Sequence, residues 1–422
     1  MTAHTPRVLT EGETSLIEAF EASGLTGADR EAAMASLKET GLPTRRVEAF
    51  HYTDLRALLK AGYSVASRPS EEDAKTIGSA FPRLVKDACV LHFRDGHYFD
   101  WGEELPNGVS VKAELPAAPK MDGGAADAVA QINTAFADSG VSVDIAEGAT
   151  VERTVGLAYA HTGAEKTIAA TRFAVNAGAG STSNIAYRAV GRDGVDYLSS
   201  SVVDLSIGEG ATVTYLLAIE EGDAAQRLAQ LNVKLAKEAT LNLFILNVGG
   251  KLVRQEINFD VEGEGADLNI SGINLVGGDA HMDITSRITH HVPNTTATET
   301  FRNVATGKGR GVFQGQINVR QPAQLTDARM ACNTLLLSDD CDFSAKPELE
   351  IFADDVQCAH GATVTDLEES YMFYLMARGI SETTARRMLI KAFVAEVFDD
   401  MEDEDLVESL DARIDVWMER HV

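Results

Sequence analysis

The sequence predicts a mainly β protein: a β-solenoid core with α-helical regions at both ends. Three observations predict it. From about residue 140, short segments rich in Val, Ile, Thr and Tyr alternate apolar and polar residues and are broken by Gly-containing turns. Small-residue corners recur before these segments, at Gly148-Ala149-Thr150, Ala179-Gly180-Ser181, Gly210-Ala211-Thr212, Glu238-Ala239-Thr240 and Gly265-Ala266-Asp267. Positions 149, 180, 211, 239 and 266 are separated by 31, 31, 28 and 27 residues, the near-constant step of coils stacked on one another. Finally, the period changes from two to about 3.6 on either side of this region. A β-sandwich with regular turn spacing is the rival that periodicity alone leaves open.

Residues 1–65 read as an N-terminal helical region. Asp29 to Glu39 carries good helix formers, and Gly41-Leu42-Pro43 stops the helix. Residues 66–139 read as a mixed connector region, with an apolar stretch at 88–93 and a turn at Asp95-Gly96. Pro116, Pro119 and Gly123-Gly124 mark a linker within it. The β core spans 140–365, with strands expected at Thr212 to Ile219, Thr240 to Val248 and Asp267 to Leu275.

Residues 366–422 read as a C-terminal helical domain, expected to be separable from the solenoid. Glu368 to Arg378 ends at Gly379, and Ser381 is placed to cap a helix over 382–398. In that helix Met388, Leu389, Ala392, Phe393 and Val397 form one apolar face. A last helix over 405–420 carries Leu406, Leu410, Ile414, Trp417 and Met418 at helical spacing. Such stripes face a core or a partner.

Composition narrows the function. The 422 residues include 45% hydrophobic and 24% charged residues, an ordinary soluble balance, with no apolar run long enough to span a bilayer. The first residues contain no apolar signal-peptide stretch, so a cytoplasmic protein without membrane contact is expected. A net charge of −27 argues against nucleic acid and favours a basic protein partner. Asp399, Asp400, Glu402, Asp403, Glu404, Asp405, Glu408 and Asp411 run without an intervening basic residue and read as a solvated linker and helix start. Gly249-Gly250-Lys251-Leu252 and Gly307-Lys308-Gly309 lack the P-loop form, so any ATP hydrolysis belongs to a partner.

Four cysteines, Cys89, Cys332, Cys341 and Cys358, include no C-x-x-C pair. That excludes a disulfide framework, a zinc ribbon and a ferredoxin-type site. Cys358 and His360 stand at i and i+2 in a strand-like segment, so both side chains point to one face. A thiolate and an imidazole there suit a soft metal such as iron, but a buried cysteine beside a hydrogen-bonded histidine satisfies the same spacing. Cys341 lies in the turn SDDCDF, where an incidental loop thiol is expected, and Cys89 and Cys332 read as core. His290 and His291 are adjacent and point to opposite faces, which disfavours one metal between them. Arg386-Arg387 read as solvated surface, with an acidic patch or helix carbonyls as alternative partners.

The stretch KPELEIFADDVQCAHGATV (346–364) resembles the SufB/SufD family, in its SufD branch. So do YMFYLMARGI (371–380), ARRMLIKAFVAEVF (385–398), GKGRGVFQGQINVRQPAQLTDA (307–328) and LPTRRVEAFHYTDL (42–55). The resemblance implies a right-handed parallel β-helix and a non-catalytic scaffold for iron–sulfur cluster assembly. It implies pairing with SufB through the β-helix and docking of the ATPase SufC on the C-terminal helices; a homodimer of the isolated chain is left open. His360 and Cys358 become candidate ligands of a transient, nascent iron–sulfur cluster shared with the partner chain, none being held stably by this chain alone. Cys341 falls near a position where SufB carries a functional cysteine and SufD members characteristically do not. Two other functions compete. A carbohydrate-active β-helix enzyme needs paired carboxylates, and Asp339-Asp340 and Asp354-Asp355 are adjacent pairs that diverge on a strand. A purely structural solenoid would bind neither SufB nor SufC.

Overall fold

The computed structural model describes residues 7–78, 81, 83–398, 401 and 403–422. Asp399, Asp400 and Glu402 of the acidic run lie outside them. From Ser139–Ile145 to Gln357–Asp366, successive strands alternate between two ten-stranded sheets. Each coil thus adds one strand to each sheet, and neighbours within a sheet are parallel. The fold is a parallel β-solenoid with helices at both ends.

The corners explain the sequence period. Thr150, Thr182, Thr212, Thr240, Asp267, Thr296 and Asp327 are successive ladder partners at the head of one sheet. Two residues before each, the chain turns through positive φ, at Gly148, Gly180, Gly210, Glu238, Gly265, Asn294 and Leu325. Four of the seven are glycine, which has no Cβ to oppose that conformation. Asn294 and Leu325 continue the column two coils past the last corner legible as small residues.

Three apolar clusters hold the molecule. The largest lies between the sheets and is built from inward residues such as Val213, Tyr215, Leu217 and Ile219. The second covers the outside of one sheet. There Ile168, Leu198, Leu228 and Leu252 meet the helices Glu11–Ser23, Ala28–Thr40 and Ala128–Phe136. The helix Ala128–Phe136 falls in the region read as connector, and each of its residues is buried. Its Asn133 amide donates to the Thr171 carbonyl at 3.0 Å, so this polar residue is satisfied inside.

The third cluster covers the other sheet. Leu216, Phe244, Leu246, Ile273 and Leu275 point outward and pack on Ile390, Val394, Leu410, Ile414 and Trp417 of the C-terminal helices. This is why strands such as TVTYLLAI begin in alternation and end as continuous apolar runs: both faces of their second halves are buried. The C-terminal helices therefore share an apolar cluster with the outer face of that sheet.

The helix Glu382–Ala395 also differs in phase. Ala385, Ile390 and Val394 are its buried residues, while Met388 and Ala392 of the expected apolar face are exposed. Ser381 caps it as expected, accepting from the Thr384 amide at 3.3 Å. Arg387 donates to the Met418 carbonyl at 3.3 Å instead of being solvated, and Arg386 makes an exposed pair with Glu382.

The N-terminal segment is pinned across one sheet. Thr53 bonds to Asp283 and, at 2.8 Å, to His281. Arg254, fully buried, reaches Asp283 at 2.5 Å and the Ala49 carbonyl at 2.9 Å. Glu48 pairs with Lys346 on the last strand of that sheet.

Candidate functional site

The two ends of the solenoid differ. At the N-terminal end, the sheets finish in short antiparallel strands, His97–Phe99 and Val109–Lys112. At the other end they finish in full ten-residue strands parallel to their neighbours, Asp342–Ile351 and Gln357–Asp366, each paired on one side among the described residues. Their outer edges present backbone donors and acceptors with no strand beyond them, a template for pairing with another chain.

Cys358 and His360 sit on that last strand. Cys358 is in register with Ala328, and His360 with Met330. Ala328 and Met330 belong to the core between the sheets, so both candidate residues lie on the inward column, at the mouth of the solenoid. The structure thus brings the two to one face. Cys358 is half-buried against the central core, and burial pushes its thiol up. His360 is exposed and makes no hydrogen bond or ion pair among the described residues.

Chemically, this is an incomplete site. An exposed imidazole beside a half-covered thiol can donate two ligands to iron, and a tetrahedral iron needs more. No group of three or more His, Cys, Asp or Glu residues able to hold a metal exists among the described residues. Any further ligands would come from a second chain laid against the open edges.

Beneath the mouth, the inward column runs from His360 through Met330 to Glu299, and Cys332 stands two residues beyond Met330 on its strand. Cys332 is buried and its thiol is pushed up to about 12 by desolvation. Glu299 is 1% exposed, and burial pushes its pKa up to about 7 against the smaller opposing effect of the Ser286 hydroxyl. A single glutamate within a strand-like segment carried no sequence signal of this burial.

The other sequence candidates resolve individually. Cys341 follows a turn, but its side chain is buried in the central cluster, with Sγ donating to the Ser338 carbonyl at 3.0 Å. It is a packed thiol, not a solvated loop thiol. Cys89 and Cys332 are buried as expected. His290 is buried and bonded to Thr295 at 2.8 Å; His291 points outward to Asp260 at 2.9 Å. Burial lowers the His290 pKa to about 4, so it sits neutral in the wall.

A second exposed feature lies beyond the last strand. The helix Glu369–Met376 has no buried residue and presents Tyr371, Phe373, Tyr374 and Met376. With Met388 they leave unusually much aromatic surface uncovered.

Comparison with known proteins adds the decisive observation. The core-domain model of SufBD proteins of the SUF system for FeS cluster assembly matches residues 159–393, and the SufBD N-terminal-region model matches 9–113. This chain belongs to the SufBD family. Within that family it is of the SufD type and takes part in iron–sulfur cluster assembly. It is 27% identical over 404 residues to the iron–sulfur cluster assembly protein SufD of Escherichia coli, covering 94% of each chain. A chloroplastic protein of Arabidopsis thaliana is 28% identical over 389 residues, 88% of this chain and 81% of that one. A SufBD family protein of Synechocystis is 30% identical over 203 residues, 48% of this chain and 45% of its own. The core-domain match takes in both edge strands of the SufBD solenoid and the helix Glu369–Met376. No described helix is long and apolar enough to cross a membrane.

Proposed function

We propose that this chain is a non-catalytic scaffold subunit that pairs with SufB through the open end of its solenoid and docks the ATPase SufC on its C-terminal helices. The observation that carries the reading is the pair of uncapped edge strands with Cys358 and His360 on the inward column between them. Edge-to-edge pairing would extend both sheets into the partner and enclose the mouth. Cys358 and His360 would then contribute two ligands to a nascent cluster, and SufB the rest. Incomplete coordination on each chain suits a cluster that must leave. The cluster is cargo in this scheme, and ATP hydrolysis belongs to SufC. In the absence of SufB, the same edges would pair two copies of this chain.

The SufC surface is assigned to the helix Glu369–Met376 and the exposed Met388. Their aromatic and thioether side chains are adaptable contacts left uncovered next to a helix that is firmly packed.

Co-expression with SufB and SufC, followed by anaerobic isolation, tests the reading. A stoichiometric complex carrying iron and sulfide is expected. Failure of the chain to co-purify with either protein would remove it. A carbohydrate-active reading gains nothing from the geometry, since the solenoid mouth holds a thiol and an imidazole where two carboxylates would be needed.

A further inference from the structure

A pocket of about 450 Å³ opens on the outside of the first coils, on the sheet whose later coils are covered by the C-terminal helices. Its size lies within the range of about 300–1,000 Å³ usual for small-ligand sites. The floor is hollow because the outward residues there are small: Gly156, Ala158 and Ala186. The equivalent outward positions of later coils hold Leu216, Phe244 and Ile273, which the helices cover. One wall is aromatic, with the His92 ring lying 4.3 Å from Trp101.

The charge of the pocket runs against that of the protein. In a chain of net charge −27, its lining includes Lys75, Arg83, Arg94 and Arg188, with Glu103 the one acid. Glu103 is already engaged by Arg83 at 2.9 Å and by Arg153 at 3.2 Å. Arg94 is the telling member. It is 4% exposed, and its guanidinium donates to the carbonyls of Ala74, Phe93 and Ala158 and meets the His92 ring nitrogen. These four partners are neutral, and the guanidinium also lies 5.2 Å from the centre of the Trp101 ring, so a ligand at that wall would meet the ring and the cation together. The adjacent Asp95 is turned to His161 and Thr162. A guanidinium has five N–H donors, so one remains after these four bonds. Asp95 attracts Arg94 from a distance, but no carboxylate pairs with it among the described residues, so an anion placed in contact would lower the cost of burying the cation.

We infer that this pocket binds a small planar aromatic anion, its ring against His92 and Trp101 over the small-residue floor and its negative group toward Arg94. The rim cations Lys75 and Arg83 would concentrate such a ligand at the entrance. The site is remote from the solenoid mouth and independent of the scaffold reading.

Calorimetric titration of the full chain with 2-naphthoate tests it, with the neutral 2-naphthamide as comparison. Saturable one-site binding of the carboxylate is expected, at least tenfold tighter than the amide. Ala158→Phe, which fills the floor from a partly exposed position, should abolish binding while leaving the thermal midpoint in place. Arg94→Met should weaken the carboxylate at least tenfold and leave the amide unchanged. No binding, equal affinity for the two probes, or undiminished binding by Ala158→Phe would each overturn the inference. If Arg94→Met does not fold, the probe pair and the floor variant still decide.

Discussion

At position 360 an exposed imidazole with no intramolecular partner faces the open end of the solenoid. A histidine that merely packs would lose about 1–3 kcal/mol of stability on truncation. His360 is exposed and makes no hydrogen bond or ion pair among the described residues, so His360→Ala should leave the melting temperature and subunit stoichiometry unchanged while iron and sulfide per complex fall. Cys358→Ser should give a weaker form of the same loss, because serine is a harder and poorer ligand. Wild-type iron loading in both variants would take these residues out of the site. Glu299 behaves differently. Its folded pKa, about 7, lies above the ordinary 4.5 of the unfolded chain, so the native state binds the extra proton between those values. Stability should therefore be full below about pH 4.5 as far as this group is concerned, and decline as pH rises toward 7. The decline is worth about 3 kcal/mol at most. Glu299→Gln should remove that fall, seen as a smaller loss of chemical-denaturation stability between pH 5 and pH 8. An unchanged pH profile would show that Glu299 is not the group responsible.

Among the elements, the two C-terminal surfaces make opposite predictions. Trp417 in the last helix is 3% exposed against the outer face of the sheet, so Trp417→Ala should cost about 3–5 kcal/mol and lower the melting temperature. Phe373 is 75% exposed, so Phe373→Glu should leave the melting temperature unchanged and abolish capture by immobilised SufC. Retained capture would move the docking site elsewhere. Deleting residues 366–422 would confound the two effects, because it strips Leu216, Leu246 and Leu275 of their cover. At the corners, Leu325 holds φ 60° and is 54% exposed. Asparagine tolerates that conformation better than leucine, so Leu325→Asn should stabilise by ~1 kcal/mol, read in a denaturant melt. An unchanged or lowered midpoint would mean that the leucine's contacts outweigh its strain.

For the whole molecule, the proposed shared site sets a test of the isolated chain. The isolated protein, reconstituted anaerobically with iron and sulfide and then desalted, should retain no stoichiometric cluster by visible absorption and iron counting. Co-expression with SufB should restore it. A cluster that survives desalting on this chain alone would require ligands beyond Cys358 and His360 and would refute the shared-site reading. The net charge of −27 acts at the same scale, since like charge on every copy opposes nonspecific association.

Local chemistry made much of this legible in the sequence. Gly148, Gly180, Gly210 and Gly265 announced their corners, because a left-handed turn at every coil selects glycine. The i, i+2 spacing of Cys358 and His360 placed them on one face, because strand side chains alternate with a period of two. The buried stripe Leu410, Ile414, Trp417 and Met418 followed from helical periodicity in the same way. Other features depend on what a residue meets across the chain. Leu325 turns its corner because the coil stacked against it holds it there, and its residue type does not signal it. Met388 and Ile390 are both apolar; only the packing of that helix on the sheet buries one and exposes the other. Glu299 in the lumen and Arg94 in its pocket look like ordinary strand charges until the solenoid closes around them. Backbone conformation and periodicity are local properties, so the sequence determined them. Desolvation and partner geometry arise between segments distant in sequence, so the tertiary structure alone decided that the Cys341 thiol is packed, which face is free and which charge is buried.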